Sequence, residues 1–169
     1  NWCSGTGDSQ EGCAVIFLAS QSPQRARLLR QAGIPYRVVT SDCDEEIIQH
    51  PQPQVLAVER ARGKARGVSR AAIDRARVAS PVPADERTVV LAADTIAALG
   101  NTIIGKPRDR ADAERILGLL QGTTHTVITG HCCLVLDEHN AVVSEAMGVA
   151  LAKVTMRSLS PEEIRAYVS

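Results

Sequence analysis

The sequence predicts an α/β domain built on a mixed, twisted sheet with flanking helices, and three observations carry that prediction. Short continuous apolar runs, AVIFLAS at 14–20 and VVLAA at 89–93, have the length and bulk of strands buried on both faces. The early runs alternate with segments of helical periodicity, the pattern of parallel strands joined by crossover helices. The second half instead carries two long strand-like runs, 126–136 and 142–154, around a turn at Asp137 to Asn140, which reads as a long hairpin. At 169 residues the chain has the size of one domain and can bury a core. That core is aliphatic, because aromatics are 2% of the chain against 44% hydrophobic residues overall.

The elements follow in order. Residues 1–13, NWCSGTGDSQEGC, are polar and glycine-rich and lack the charged start and apolar stretch of a signal peptide, so they read as a flexible leader. Residues 14–169 then form a single domain, with no internal repeat and no dividing linker. The first strand runs straight into a helix: Ser22 is a good N-cap, and Pro23 takes the first helical position, where its missing N–H costs nothing. Leu28, Leu29 and Ala32 supply the apolar stripe, and Gly33 ends the helix. Tyr36 to Thr40 is a second strand, with the acidic stretch Asp42 to Glu46 as its polar exit. Val55, Val58, Ala61, Ala65 and Val68 mark one long helix from Gln54 to about Ala79, with weak points at Gly63 and Gly67, stopped by Ser80 to Pro83. Val89 to Ala93 is a buried strand, and Gly100-Asn101 turns the chain into a short strand at Thr102 to Ile104. Asp109 caps a helix whose stripe is Ala113, Ile116, Leu117 and Leu120, closed by Gly122. Ser160-Pro161-Glu162-Glu163 is a capping box opening a last helix, in which the chain ends at Ser169.

Composition excludes several classes. Nineteen Lys+Arg against nineteen Asp+Glu leave no net charge, which argues against a surface built wholly to hold nucleic acid or anionic membrane. One Phe, two Tyr and one Trp are too few to stack single-stranded bases. No apolar run approaches the roughly 18 residues of a membrane-spanning helix. Five cysteines, an odd number without paired spacing, point to a reducing, cytoplasmic setting. Cys132-Cys133 lies in an apolar run and reads as a pair of small packed side chains. Neither a helical histidine pair nor a Gly-x-Ser-x-Gly elbow is present, so His50, His125, His131 and His139 read as structural.

Four features can carry chemistry, and each has a plainer alternative. The turn Ser20-Gln21-Ser22-Pro23-Gln24-Arg25 sets two hydroxyls and a guanidinium at a helix N-terminus, where phosphate is favoured; it also reads as an ordinary cap. Asp94, at the end of an apolar strand, is costly to bury without a partner and suits a metal ligand or general base; it also reads as a turn cap. Gly105-Lys106-Pro107-Arg108 offers two cations to a polyphosphate or forms an exposed basic loop. The Arg-rich helix, with Arg60, Arg62, Lys64, Arg66, Arg70, Arg75 and Arg77, is a local basic excess. Its spacing scatters the charges around the helix, so a solvated face is expected over a nucleic-acid grip, with an inward-turned Lys64 as a single phosphate ligand left open.

Taken together, Leu18-Ala19-Ser20-Gln21-Ser22-Pro23-x-Arg25 with Leu28-Leu29, Ala93-Asp94-Thr95, Ile104-Gly105-Lys106-Pro107, Gly122-x-x-His125-x-Val127-x-Thr129-Gly130 and Leu159-Ser160 to Ile164 with Tyr167 form an ordered set. This set resembles the Maf family of nucleotide pyrophosphatases, the septum-formation-inhibitor-like proteins, whose fold is akin to that of inosine triphosphate pyrophosphatase. The resemblance implies hydrolysis of a nucleoside triphosphate to the monophosphate and pyrophosphate with a divalent metal, Mg²⁺ or Mn²⁺, as a nucleotide-pool house-cleaning activity. It implies that Ser20, Ser22 and Arg25 hold phosphates, that Glu45, Lys64 and Lys106 complete the substrate site, that Asp94 is catalytic, and that Asp94 and Glu45 hold the metal. It also implies a homodimer. Asp94-Thr95 and the stretch from Gly122 to Thr129 look like the subgroup acting on dTTP and UTP. Gln24 departs from that subgroup's usual Arg, which keeps a 7-methyl-GTP-type specificity as an alternative. A non-catalytic nucleotide- or nucleic-acid-binding regulator is the alternative outside enzymes. The family pattern continues beyond the last helix with a Lys-Ala-Gly run, a Gln-Gly pair and a glycine-rich strand, so the domain is expected to be cut short here.

Overall fold

The computed structural model describes residues 15–79 and 88–169; the leader and the Ser80 to Pro83 stop lie outside the described residues. The elements run β1 (Val15–Leu18), α1 (Pro23–Gln31), β2 (Tyr36–Val38), a 3-10 turn (Glu45–Ile47), α2 (Pro53–Arg66), α3 (Arg70–Ala79), β3 (Thr88–Leu99), β4 (Thr102–Ile104), α4 (Arg110–Leu120), β5 (Thr124–Leu136), β6 (Val142–Thr155) and α5 (Pro161–Tyr167). The sheet order is β2-β1-β3-β5-β6, with β4 pairing the far part of β3. β1 is parallel to β2 and β3, whereas β3, β5 and β6 form antiparallel ladders. The mixed sheet is the one expected, and its parallel and antiparallel halves meet along β3.

Four local expectations change. Ser22 is the backbone N-cap of α1, but its hydroxyl makes no cap bond and instead donates to Gln24 Oε1 at 3.0 Å. The long helix is two helices. The Gly67 N–H closes α2 on the Gly63 carbonyl at 2.8 Å, and Ser69 Oγ then accepts the Ala72 N–H at 3.3 Å, as a new N-cap does. β3 does not end at Ala93; its ladder with β5 continues to Ala98, so Asp94 and Thr95 lie inside a strand. α5 ends at Tyr167, where the Val168 N–H bonds the Ile164 carbonyl, so Ser169 lies past the helix.

α2 packs across the sheet on alanines. Ala57, Ala61 and Ala65 are buried on its inner face, and such small side chains let the helix sit close. Above and below them lie Phe17, Ile73, Val90 and Leu134 in one cluster and Leu56, Ile96 and Ile128 in another. Cys132 sits fully buried in the first cluster, where burial first, and then the neighbouring Glu145, push its thiol up to about 11 and keep it neutral.

Glu145 ties β6 to α2. It accepts from Arg66 Nη2 at 2.7 Å and Arg62 Nε at 2.9 Å, and these two bonds hold its carboxyl at about 2, far below the usual carboxylate range. The folded-state value is depressed, so the stabilisation is fully present above the ordinary value of 4.5 and drains away as pH falls towards 2. Urea unfolding of the parent and of Glu145→Gln at pH 7 and near pH 2 checks this. The parent is expected to be the more stable at pH 7, with the gap closing at the acid end.

Candidate active site

β1 stops before β3 does. The last bond between them runs from the Ala19 N–H to the Leu91 carbonyl at 2.8 Å. From there until β4 joins it at Ala97, β3 keeps β5 on one side only, and its other edge borders a notch at the carboxyl end of β1. Such a position, where neighbouring strands part, is where open α/β sheets take ligands.

Arg25 enters the notch from α1. Its Nη1 donates to the Ala93 carbonyl at 2.8 Å and to Ser20 Oγ at 2.9 Å, and its Nη2 donates to Thr95 Oγ1 at 3.1 Å. Thr95 Oγ1 lies 3.1 Å from Thr129 Oγ1, its register partner across the ladder. The guanidinium therefore spans the residues on either side of Asp94. Burial pulls its pKa down from the usual value, against the raising effect of Asp94 and then Glu45.

Strand alternation turns Asp94 to the opposite face, towards α2. There Lys64 Nζ donates to Asp94 Oδ1 at 2.8 Å and also pairs with Glu45. Asp94 is only 8% exposed, so the ammonium is what makes a carboxylate tolerable at that depth. Glu45 stands on the 3-10 turn, which Asp44 caps by accepting the Glu46 N–H at 3.1 Å. Burial raises the Glu45 carboxyl, but the bond and charge of Lys64, then Lys106 and Arg60, outweigh it and set the carboxyl below its ordinary value. Lys106 Nζ, 87% exposed on the loop after β4, is 3.7 Å from Glu45 Oε1.

Ser20, Arg25, Glu45, Lys64, Asp94 and Lys106, far apart in sequence, are thus brought into one cluster. Ser22 stands a step aside: its N–H donates to Ser20 Oγ at 3.3 Å, while its hydroxyl is engaged with Gln24. Sequence reasoning assigned no role to Thr95 and Thr129. Both stand in the family-like motifs, but their contact depends on a ladder register that no spacing reveals. The Arg-rich segment does not gather into a basic stripe. Arg62 and Arg66 are held by Glu145, Arg60 donates to the Ile48 carbonyl at 3.3 Å, and Arg70 faces Asp74 at 3.7 Å. Among the described residues, no group of three or more His, Cys, Asp and Glu is placed to hold a metal, and no helix is long and apolar enough to cross a membrane.

A mixed sheet with flanking helices, parting at the carboxyl end of β1, places the chain among the open α/β sheets. More narrowly, the family described as "Maf-like protein" matches residues 15–169, and the chain belongs to it. Its relatives include the dTTP/UTP pyrophosphatase of Geotalea uraniireducens (strain Rf4), 39% identical over 91% of this chain and 71% of the relative. The protein of the same name from Geobacter sp. (strain M21) is 40% identical over the same shares, and that of Agathobacter rectalis is 36% identical over 91% of this chain and 74% of its own length.

Proposed function

We propose that this chain hydrolyses dTTP and UTP to the monophosphate and pyrophosphate, with Asp94 as its catalytic carboxylate. The observation that carries the reading is the single cluster of Arg25, Lys64 and Lys106 around Asp94 and Glu45 at the notch. The names of the curated relatives support the substrate.

The chemistry follows from the donors. Both Nη1 hydrogens of Arg25 are spent on Ala93 and Ser20, and one Nη2 hydrogen on Thr95. The Nε–H and the second Nη2–H make no bond to the described residues and can take phosphate oxygens from a guanidinium already fixed by the sheet. Ser20, at the start of the turn into α1, and the exposed Lys106 extend the grip along the triphosphate. Asp94 takes a proton from the water that attacks the α-phosphorus; the bond to the bridging oxygen breaks, and pyrophosphate leaves. Lys64, bonded to Asp94 Oδ1, orients that carboxylate and sets its ammonium beside the place a phosphate oxygen would take.

Asp94 and Glu45 fit a divalent metal of the Mg²⁺ type, which uses one or two carboxylates and takes its other ligands from phosphates and water. When bound, such an ion neutralises charge developing on the phosphates. A panel of nucleoside triphosphates with Mg²⁺ or Mn²⁺ tests the reading. Turnover is expected to be fastest with dTTP and UTP, with pyrophosphate and monophosphate released in equal amounts. Release of single phosphate, or a preference for 7-methyl-GTP, would count against it.

A further inference from the structure

We infer that Lys64 occupies the position between Asp94 and Glu45 that a free divalent ion would need, so that metal enters this site with the nucleotide and not before it. Its Nζ touches one oxygen of each carboxylate, Asp94 Oδ1 at 2.8 Å and Glu45 Oε2. An ion drawing on those two oxygens, Asp94 Oδ1 and Glu45 Oε2, needs the place the ammonium holds, since metal–oxygen distances of about 2.1 Å leave little choice. Lysine and metal therefore compete. No third His, Cys, Asp or Glu among the described residues completes a group that would tip the balance towards the bare ion.

Charge points the same way. Arg25, Lys64 and Lys106 contribute three positive charges and Asp94 and Glu45 two negative, so these five groups carry one net positive charge, to which the nearby Arg60 adds. Such a site repels a bare dication and attracts a metal–triphosphate complex, whose net charge is negative. Phosphate oxygens also offer the Lys64 ammonium a new partner as it leaves the carboxylates. The nucleotide half of this inference rests on the proposed function; the exclusion of free metal does not.

The test is Mn²⁺ binding to the whole chain without turnover, followed by the paramagnetic resonance of free Mn²⁺. Parent, Lys64→Met and Lys64→Arg are titrated with Mn²⁺ alone, and the parent also with Mn²⁺ complexed to a dTTP analogue carrying a methylene between the α- and β-phosphorus. Lys64→Met is expected to bind bare Mn²⁺ at least about tenfold tighter than the parent, since a unit and a double charge roughly 5 Å apart repel that strongly even under water's screening. Lys64→Arg is expected to stay with the parent, and the parent to prefer the complex over bare Mn²⁺ by at least about tenfold. No gain in Lys64→Met, or a parent that binds bare Mn²⁺ as tightly as the complex, overturns the inference. Should Lys64→Met fail to fold, the comparison within the parent decides. A protein that binds in this order yet leaves dTTP uncleaved refutes the proposed function alone; one that cleaves dTTP but binds bare Mn²⁺ tightly refutes only this inference.

Discussion

Asp94→Asn is expected to lower kcat for dTTP and UTP by about 10²- to 10⁴-fold, the range for removal of a general base, while KM moves only a few-fold. The asymmetry follows from the geometry. Asparagine keeps an oxygen that can accept from Lys64, so the 2.8 Å contact survives and the strand stays in place. Arg25 is held by the Ala93 carbonyl, Ser20 and Thr95, none of which is altered, so its grip on phosphate persists. What is lost is the proton acceptor. Steady-state kinetics with pyrophosphate detection separates the two parameters. Turnover within a few-fold of the parent would remove Asp94 from the chemistry, and an equal loss in KM alone would recast it as a binding group.

Much of this site was legible before any fold was drawn. Ser20, Arg25, Asp94 and Lys106 stand at the ends of apolar runs, where chain direction alone gives them access to a sheet edge, and Asp94 announces itself as a carboxylate too deep to be idle. Lys64 was different. Among alternating arginines it reads as one more solvated cation, and only the placement of the end of α2 over Asp94 turns it inward; its role came from the family resemblance. The same holds for its neighbours Arg62 and Arg66, whose partner Glu145 lies on β6, beyond the reach of any helical spacing rule. Register hid the rest. β3 reads as ending at Ala93 because Asp94 and Thr95 interrupt its apolar run, yet the ladder with β5 carries it to Ala98 and pairing with β4 to Leu99. The break between α2 and α3 was blurred by Ala- and Arg-rich flanks of high helix propensity, which left Gly67 and Ser69 as weak signals.

Gly130→Ala is expected to be the most damaging single methyl group in the sheet. Gly130 is the register partner of Asp94, and α2 crosses directly over it. A Cβ there would lie 2.3 Å from the Ala57 carbonyl carbon and oxygen and 2.4 Å from the Val58 nitrogen. All three are backbone atoms inside a helix, so no rotamer change relieves the clash and α2 must lift or the strand must bend. Overpacking of that kind costs about 3 kcal/mol, which for a domain of this size lowers Tm by roughly 6–12 °C. Gly148→Ala is the control. Its Cβ would meet His131 Nε2 at 2.5 Å, but that imidazole is exposed and can swing away, so a loss of about 1 kcal/mol or less is expected. Thermal unfolding of the two variants distinguishes a rigid contact from a yielding one, and equal melting temperatures would refute the difference. Because α2 also carries Lys64, lifting it at Ala57 moves the ammonium relative to Asp94. Gly130→Ala is therefore expected to lose activity at temperatures where it is still folded, whereas Gly148→Ala is not.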